Sequence, residues 1–396
     1  MSPPVRPFVG PARTLSGSGA SASIGAELRA AGVHPGDGVI PLVADAAVLK
    51  LGLVDPAVES LMGAGFTIDV RPGVEAEPSP ETIRGLIGDY ADAPEARIAA
   101  VVAIGGGSAL DAAKLVSLAH ANRIDLTAGV KATDEVEPGS PILAVPTTAG
   151  TGAEATAVAM LWHEGVKRMF VHGHLVPRVV VLDPDLLADL PLAVTGSSGL
   201  DAISHAVESL LSTFRTPLSE TAAKAALALL AESVPEAYAS GSPESRHDTL
   251  LGAFDAGLAL NASVVLGHSL AYVIAGRAGL PHGVSCAMAL PYCLAHARPA
   301  REAAIDEMAG IVCGKEDGLA LLDWLLEANE SMGIAPSLAA VGIDADAIDG
   351  MAVECAERYP RPNHPTPITV AGLEGLLADF HAGDAHAAWE SAGIRA

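Results

Sequence analysis

The strongest constraint on the fold is a short apolar run at residues 99–104 that ends at once in Gly105-Gly106-Gly107-Ser108 and continues as the helical pattern ALDAAKLVSLA. Strand, glycine turn and helix in immediate succession form the unit of a parallel sheet. They aim backbone N–H groups and the helix dipole at one point beyond the strand end. Glycine suits that turn because a side chain would block the approach of an anion such as a diphosphate. Strand-like runs at 39–43 and 66–70 alternate with a helical stretch at 56–64, the rhythm of βαβ units. With 50% hydrophobic residues but only 4% aromatic, the chain supplies Ala, Val, Leu and Ile for such a core.

After Leu182-Asp183-Pro184 the pattern changes. Segments 200–211, 219–232 and 249–276 carry apolar residues at helical spacing with no strand pattern between them. The 396 residues therefore read as an α/β domain at 1–188 followed by an all-α domain at 189–396. Within the latter, PRPNHPTP at 360–367 is a stiff loop that precedes a last helix at 370–380.

A second loop strengthens the nucleotide reading. The apolar run 142–145 ends in PTTAGTGAE at 146–154, where hydroxyls and glycines again cluster at a strand end, and two such loops suggest one cofactor held by both. Thr151 and Glu154 also fit a capping box at a helix start, a reading compatible with the first. Asp45 closes the run VIPLVAD, where a carboxylate could accept from a ribose hydroxyl or simply turn the chain.

The second half carries a different set. Asp201 and His205 lie four apart in GLDAISHAVESLL and share one helix face. His268 and His282 would be about 21 Å apart on a straight helix, so both reach one ion only if the chain turns between them. Gly276, Gly279 and Pro281 offer that turn. Three neutral imidazoles and one carboxylate leave a divalent ion with a net charge of about +1, suited to polarising an alcohol or carbonyl oxygen. The donor types alone admit zinc as readily as iron.

Cys286, Cys293, Cys313 and Cys355 show no paired spacing and read as buried reduced thiols, which fits a cytoplasmic location. A net charge of −24 with only six lysines repels phosphate backbones and anionic membranes, so neither nucleic acid nor a membrane is an expected partner. The N-terminal stretch lacks a continuous apolar region, and residues 258–280 are interrupted by Asn261, His268 and Arg277, so neither a signal peptide nor a span is expected.

Five motifs in fixed order carry a family resemblance: GGGSALDAAK at 105–114, PTTAGTGAEAT at 146–156, VLDPDLL at 181–187, GLDAISHAVES at 199–209 and GHSLAYVIAGRAGLPHGVSCAMALP at 267–291. By them the chain resembles the iron-containing (group III) alcohol dehydrogenases over almost its whole length. The resemblance implies a dehydroquinate synthase-like fold, a dinucleotide-binding N-terminal domain and an all-helical C-terminal domain with cofactor and metal between them. It implies one divalent metal, Fe2+ ahead of Zn2+, held by Asp201, His205, His268 and His282. It sets the dinucleotide against Gly106, Gly107, Ser108, Asp111, Thr147, Thr148 and Thr151, near Lys167, with Asp45 at the ribose favouring NAD over NADP.

Many members carry a histidine four residues after the third metal ligand, where it relays a proton. Tyr272 stands in that place here, as in branches similar to phosphonoacetaldehyde reductases. It is the candidate catalytic residue, although an ordinary tyrosine pKa near 10 suits it better to donate a hydrogen bond than to relay a proton.

The implied reaction is hydride transfer between NAD(P)(H) and a small alcohol, aldehyde or related hydroxy or oxo compound, in a homo-oligomer of two or more chains. Maleylacetate reductase-like and phosphonoacetaldehyde reductase-like substrates are alternatives within that class. A lyase similar to dehydroquinate synthase is an alternative of another class. It would want a Lys and Arg cluster for a phosphorylated, carboxylated substrate, which is not evident here. The basic stretch at 163–178 reads as a solvated segment beside the cofactor.

Overall fold

A computed structural model of the chain describes residues 6–91 and 97–395. Of the N-terminal stretch read above for a leader, residues 1–5 lie outside them. The chain divides into two units, one spanning Val9–Leu190, the other beginning at Pro191 and taking in Phe8 from the opposite end of the chain.

Among its described residues the first unit has eight strands, β1 (Arg13–Ser16), β2 (Val39–Asp45), β3 (Thr67–Val74), β4 (Val101–Gly105), β5 (Ile142–Pro146), β6 (Val158–His163), β7 (Val166–Val171) and β8 (Val179–Leu182). Six of them form one sheet in the order β1-β8-β5-β4-β2-β3, parallel throughout, while β6 and β7 make a separate antiparallel hairpin. Its helices are α1 (Ile24–Ala30), α2 (Ala46–Lys50), α3 (Asp55–Gly63), α4 (Pro80–Ile87) and α5 (Gly107–Ala121).

Every residue of β4 and β5 is buried, as a central parallel strand covered on both faces requires. The registers pair Ala44 with Ile104 and Gly105 with Pro146, so the C-terminal ends of β2, β4 and β5 lie side by side. The loops leaving those three ends are thereby neighbours.

The second unit has no strand among its described residues. It comprises α6 (Leu192–Leu211), α7 (Pro217–Ala239), α8 (Pro243–Ala259), α9 (Leu266–Ala278), α10 (His282–Cys313), α11 (Gly318–Ser331), α12 (Ile348–Glu357), α13 (Val370–Ala382) and α14 (Ala385–Arg395). α6 is central, and two glycines set how closely its neighbours approach. A Cβ on Gly199 would lie 2.6 Å from Val234 Cγ1 on α7, and one on Gly283 would lie 2.3 Å from the Ser197 carbonyl oxygen. The start of α10 thus rests directly on the backbone of α6.

Two expectations need correction. The stretch 249–276 is not one helix: α8 ends at Ala259, Ser263 has φ +62°, and α8 and α9 meet at a bend of 108°. The carbonyls at the break are taken by side chains. Ser212 Oγ donates to Ala262 O at 2.6 Å and Asn363 Nδ2 to Val264 O at 2.9 Å, which offers the backbone an alternative to helical pairing. Likewise 370–380 is not the last helix, since Gly383 at φ +78° closes α13 and lets α14 follow.

Among the described residues no single helix is long and apolar enough to cross a membrane; α8 and α9 pass such a test only as a bent pair. Because Gly283 seats α10 on α6, Gly283→Ala must push backbone against backbone. We expect a loss of about 1 to 3 kcal/mol with the helical content kept, read as a lower urea midpoint at unchanged far-ultraviolet circular dichroism.

Candidate active site and cofactor loops

Within the helical unit, Asp201, His205 and Glu208 stand at i, i+4 and i+7 of α6 and form one polar stripe, each no more than 5% exposed. His268 comes from α9. His282 opens α10, placed there by Gly279 in the left-handed conformation (φ +65°) and Pro281 as the cap of α10. That is the turn expected between the two histidines, with Gly276 still inside α9.

The Nε2 atoms of His205 and His268 lie 3.8 Å from Asp201 Oδ1, and that of His282 lies 4.0 Å away. His205 and His268 approach each other at 3.1 Å between their Nε2 atoms. The structure therefore sets all three histidines within 4.0 Å of Asp201, but the donor atoms that all lie within 4.8 Å of one another are those of Asp201, His268, His282 and Cys286, with His205 joined to them through Asp201 and His268. Burial would raise the Asp201 carboxyl, but the imidazoles of His205, His282 and His268, with a hydrogen bond from Cys286, outweigh it and hold the group at about 2. Asp201 Oδ1 itself is buried and accepts no hydrogen bond among the described residues. An orphaned anionic oxygen facing imidazole nitrogens is the donor set of a divalent cation site.

Two further residues belong to the cluster and were not anticipated. Glu208 Oε1 lies 2.6 Å from His268 Nδ1, while Oε2 accepts from the N–H of Val265 at 2.7 Å and of His268 at 3.3 Å. Burial pushes this carboxyl up, but the His268 charge and these hydrogen bonds bring it below its ordinary value. The bond to Nδ1 leaves Nε2 turned toward Asp201, the second tie that a ligating imidazole needs. Gly267 permits this approach, since a Cβ there would lie 2.7 Å from Glu208 Oε1. Cys286, one turn after His282, has its Sγ 3.7 Å from His268 Nε2 and 3.6 Å from His282 Nε2. The signal for both was the i+3 or i+4 spacing from a known histidine, the same spacing that singled out Asp201 and His205.

Tyr272, one turn beyond His268, stacks its ring on His282 at 5.5 Å and 19°, and meets His268 edge-on at 6.1 Å. The Arg361 guanidinium lies 5.7 Å from the centre of the same ring. The structure thus places Tyr272 against two of the cluster's imidazoles.

In the sheet unit the glycine loop and the threonine loop touch. Thr147 N–H donates to Gly105 O at 3.0 Å, a Cβ on Gly107 would lie 2.8 Å from Thr151 Cγ2, and one on Gly106 would lie 3.4 Å from Thr148. No side chain among the described residues caps α5 at Gly106; Ala109 N–H turns back to Gly106 O at 3.0 Å, and the N–H groups of Gly107 and Ser108 stand at the helix start, where an anion would bind. Asp45 caps α2, its Oδ1 accepting from the N–H of Ala47 and of Val48 at 2.9 Å, while its Oδ2 faces Gly105. Ser108 Oγ accepts from the N–H of Glu77, whose carboxylate pairs with Lys167 at 2.9 Å, which ties Lys167 to the glycine loop.

Asp111 is tied to the hairpin through Oδ2, which accepts from Met160 N–H on β6 at 3.0 Å, while its buried Oδ1 has no hydrogen-bond partner among the described residues. Burial raises the carboxyl to about 6 against the pull of Lys114. Lys114 is fully buried and donates to Thr156 O, Thr156 Oγ1 and Val158 O, fastening the threonine loop and hairpin to α5. The expected capping box is absent among the described residues. Gly152 at φ +59° starts the short turn of helix there, Thr151 Oγ1 accepts only from Ala153 N–H, and Glu154 is buried near Lys114.

Comparison with known proteins agrees across both units. Residues 11–184 match the model of the family described as iron-containing alcohol dehydrogenase, and residues 195–380 match its C-terminal family. The long-chain-alcohol dehydrogenase 1 of Geobacillus thermodenitrificans is 30% identical over 357 residues, covering 87% of this chain and 90% of that protein. The NAD-dependent methanol dehydrogenase of Bacillus methanolicus is 28% identical, covering 93% and 98%. A crystal structure of a 1,3-propanediol oxidoreductase superposes with a TM-score of 0.88 at 26% identity, over 95% of this chain and all of that one.

The Glu208 contact makes a prediction about the cluster. In Glu208→Gln the amide oxygen still accepts from His268 Nδ1, but the charge is lost and an NH2 replaces the oxygen that accepts from the Val265 and His268 N–H groups, and we expect affinity for a divalent ion to fall about 10- to 100-fold in chelator competition. Unchanged affinity would mean that Glu208 serves only to close the N-terminus of α9.

Proposed function

This chain belongs to the iron-containing alcohol dehydrogenase family, and from that premise we propose that it transfers hydride between a small alcohol or aldehyde and a nicotinamide dinucleotide, with one divalent ion held by Asp201, His205, His268 and His282. The observation that carries this reading is the buried Asp201 oxygen without a hydrogen-bond partner, faced by three imidazole nitrogens at 3.8 to 4.0 Å. A divalent ion there supplies a Lewis acid for the substrate oxygen. Iron is the favoured ion and zinc the alternative.

The chain's own residues have distinct tasks. Asp201 provides the negative charge, and Glu208 keeps the His268 proton on Nδ1 so that Nε2 faces the cluster. Tyr272, stacked on His282, is the residue we assign to donate a hydrogen bond to the substrate oxygen. Gly106, Gly107 and Ser108 with Thr147, Thr148 and Thr151 would hold the dinucleotide, its phosphates at the uncapped start of α5.

The relatives named for methanol, long-chain alcohols and 1,3-propanediol support an alcohol or aldehyde as substrate. The competing lyase reading would produce no net NADH. In keeping with the acidic charge of −24, we read the protein as acting on a small molecule without nucleic acid or membrane, in the cytoplasm and as a homo-oligomer.

Two measurements test this. In Asp45→Asn the cap on α2 is kept while the charge that would repel a 2′-phosphate is lost. We expect kcat/KM for NADP relative to NAD to rise about tenfold, the factor that 1.4 kcal/mol of relieved repulsion gives. For the metal, elemental analysis of protein purified without chelator should find one iron or zinc per chain, lost in His268→Ala together with a fall of about 10³-fold or more in NADH-linked turnover over an alcohol and aldehyde panel. A wild type that takes up no metal on reconstitution, or a variant that keeps both metal and turnover, overturns the reading.

A further inference from the structure

The reading above accounts for an aspartate and three histidines, and it leaves Cys286 beside them without a task. The sulfur is 1% exposed, on the turn of α10 after His282, and it belongs to a group of four potential ligand atoms, with Asp201, His268 and His282, that all lie within 4.8 Å of one another. Cys293, two turns further along α10, and Cys355 on α12 are buried too, yet neither joins such a group among the described residues.

The distances fit two donors on one ion as well as they fit a thiol hydrogen bond. With Asp201 and three histidines already donating, Cys286 would be a fifth donor; bonds of about 2.05 Å to nitrogen and about 2.3 Å to sulfur, about 110 to 120° apart as between equatorial donors of a five-coordinate ion, subtend a nitrogen–sulfur edge of about 3.6 to 3.8 Å. Cys286 Sγ lies 3.6 Å from His282 Nε2 and 3.7 Å from His268 Nε2. The sulfur therefore stands from both imidazole nitrogens at the separation of two donors on one ion, and its hydrogen bond to Asp201 brings it to the carboxylate of the same cluster.

The geometry points to Cys286 as a sulfur donor to the ion held at this cluster, an inference that rests on the metal reading above. On ligation the thiol gives its proton to solvent and a sulfur lone pair forms the bond to the ion, so one proton is released per chain and no electron is transferred. The sulfur would stand on the side of the cluster formed by His268 and His282, where Tyr272 also packs.

The test uses the full chain loaded with Co2+, whose visible d–d bands report binding and whose near-ultraviolet charge-transfer band reports a cobalt–sulfur bond. We expect wild type to show both. Cys286→Ser should lose the near-ultraviolet band while keeping the visible bands and one cobalt per chain by elemental analysis. Cys286→Ala, which cannot substitute an oxygen donor, should lose the same band.

Visible bands without a near-ultraviolet band in wild type, or a near-ultraviolet band that persists in both variants, overturns the assignment of Cys286 and leaves the metal reading standing. If wild type takes up no cobalt at all, both fall together.

Discussion

Two carboxylates, Asp201 and Glu208, sit seven residues apart on α6, each nearly sealed from water, and the helical unit is built to keep them ionised. A buried carboxylate without compensation would take up a proton rather than remain charged. The compensation here comes from other segments of chain. Glu208 holds the N–H groups of Val265 and His268 and the ring of His268, so the start of α9 is pinned to the middle of α6. With its first N–H groups committed to Glu208, α9 cannot continue the line of α8. Glu208 thereby fixes the N–H side of the bend, as Ser212 and Asn363 fix its carbonyl side.

Asp201 is compensated differently. Its neighbours are imidazoles at 3.8 to 4.0 Å, too far for hydrogen bonds to Oδ1 and close enough to share an ion with it. Because the imidazoles come from α6, α9 and α10, holding the cluster together means holding three helices in register. Gly283 on the α6 backbone and Gly267 against Glu208 supply the close approaches that this needs. The small residues are thus as much a part of the site as the polar ones, through distance rather than chemistry.

Much of this was legible in the sequence, for reasons that differ by residue. The β4 loop could be read because strand, glycine and helix are adjacent in the chain, and Asp201 with His205 because helical spacing is local. The convergence of His268 and His282 needed only a turn, and Gly279 and Pro281 supplied it. Glu208 and Cys286 were passed over for a different reason. Each has the right spacing, but glutamate in a helix ordinarily faces solvent and cysteine ordinarily packs as a small hydrophobe. The break after Ala262 was invisible because the side chains that take its carbonyls, those of Ser212 on Ala262 and Asn363 on Ser263, lie 50 and 100 residues from them in sequence. Asp111 shows the converse, a motif residue whose carboxylate is tied to the backbone of a hairpin that local sequence cannot place.

The two units contain opposite answers to buried charge, and the contrast separates scaffold from site. Lys114 is fully enclosed, yet three protein oxygens receive its ammonium hydrogens, at 2.7 to 3.1 Å. Burial lowers its pKa to about 8 against the pull of Asp111 and Glu154, and no donor is left over for a ligand. A charge so completely bonded by its own chain fixes a hairpin and a loop. Asp201 Oδ1 has the same enclosure and no such bonds. Leaving a buried anionic oxygen unbonded costs several kcal/mol, a cost that a stable fold sustains when a ligand from outside the chain recovers it. Burial alone would have ranked Lys114 above Asp201 as a functional group; the unused bonding capacity reverses that order.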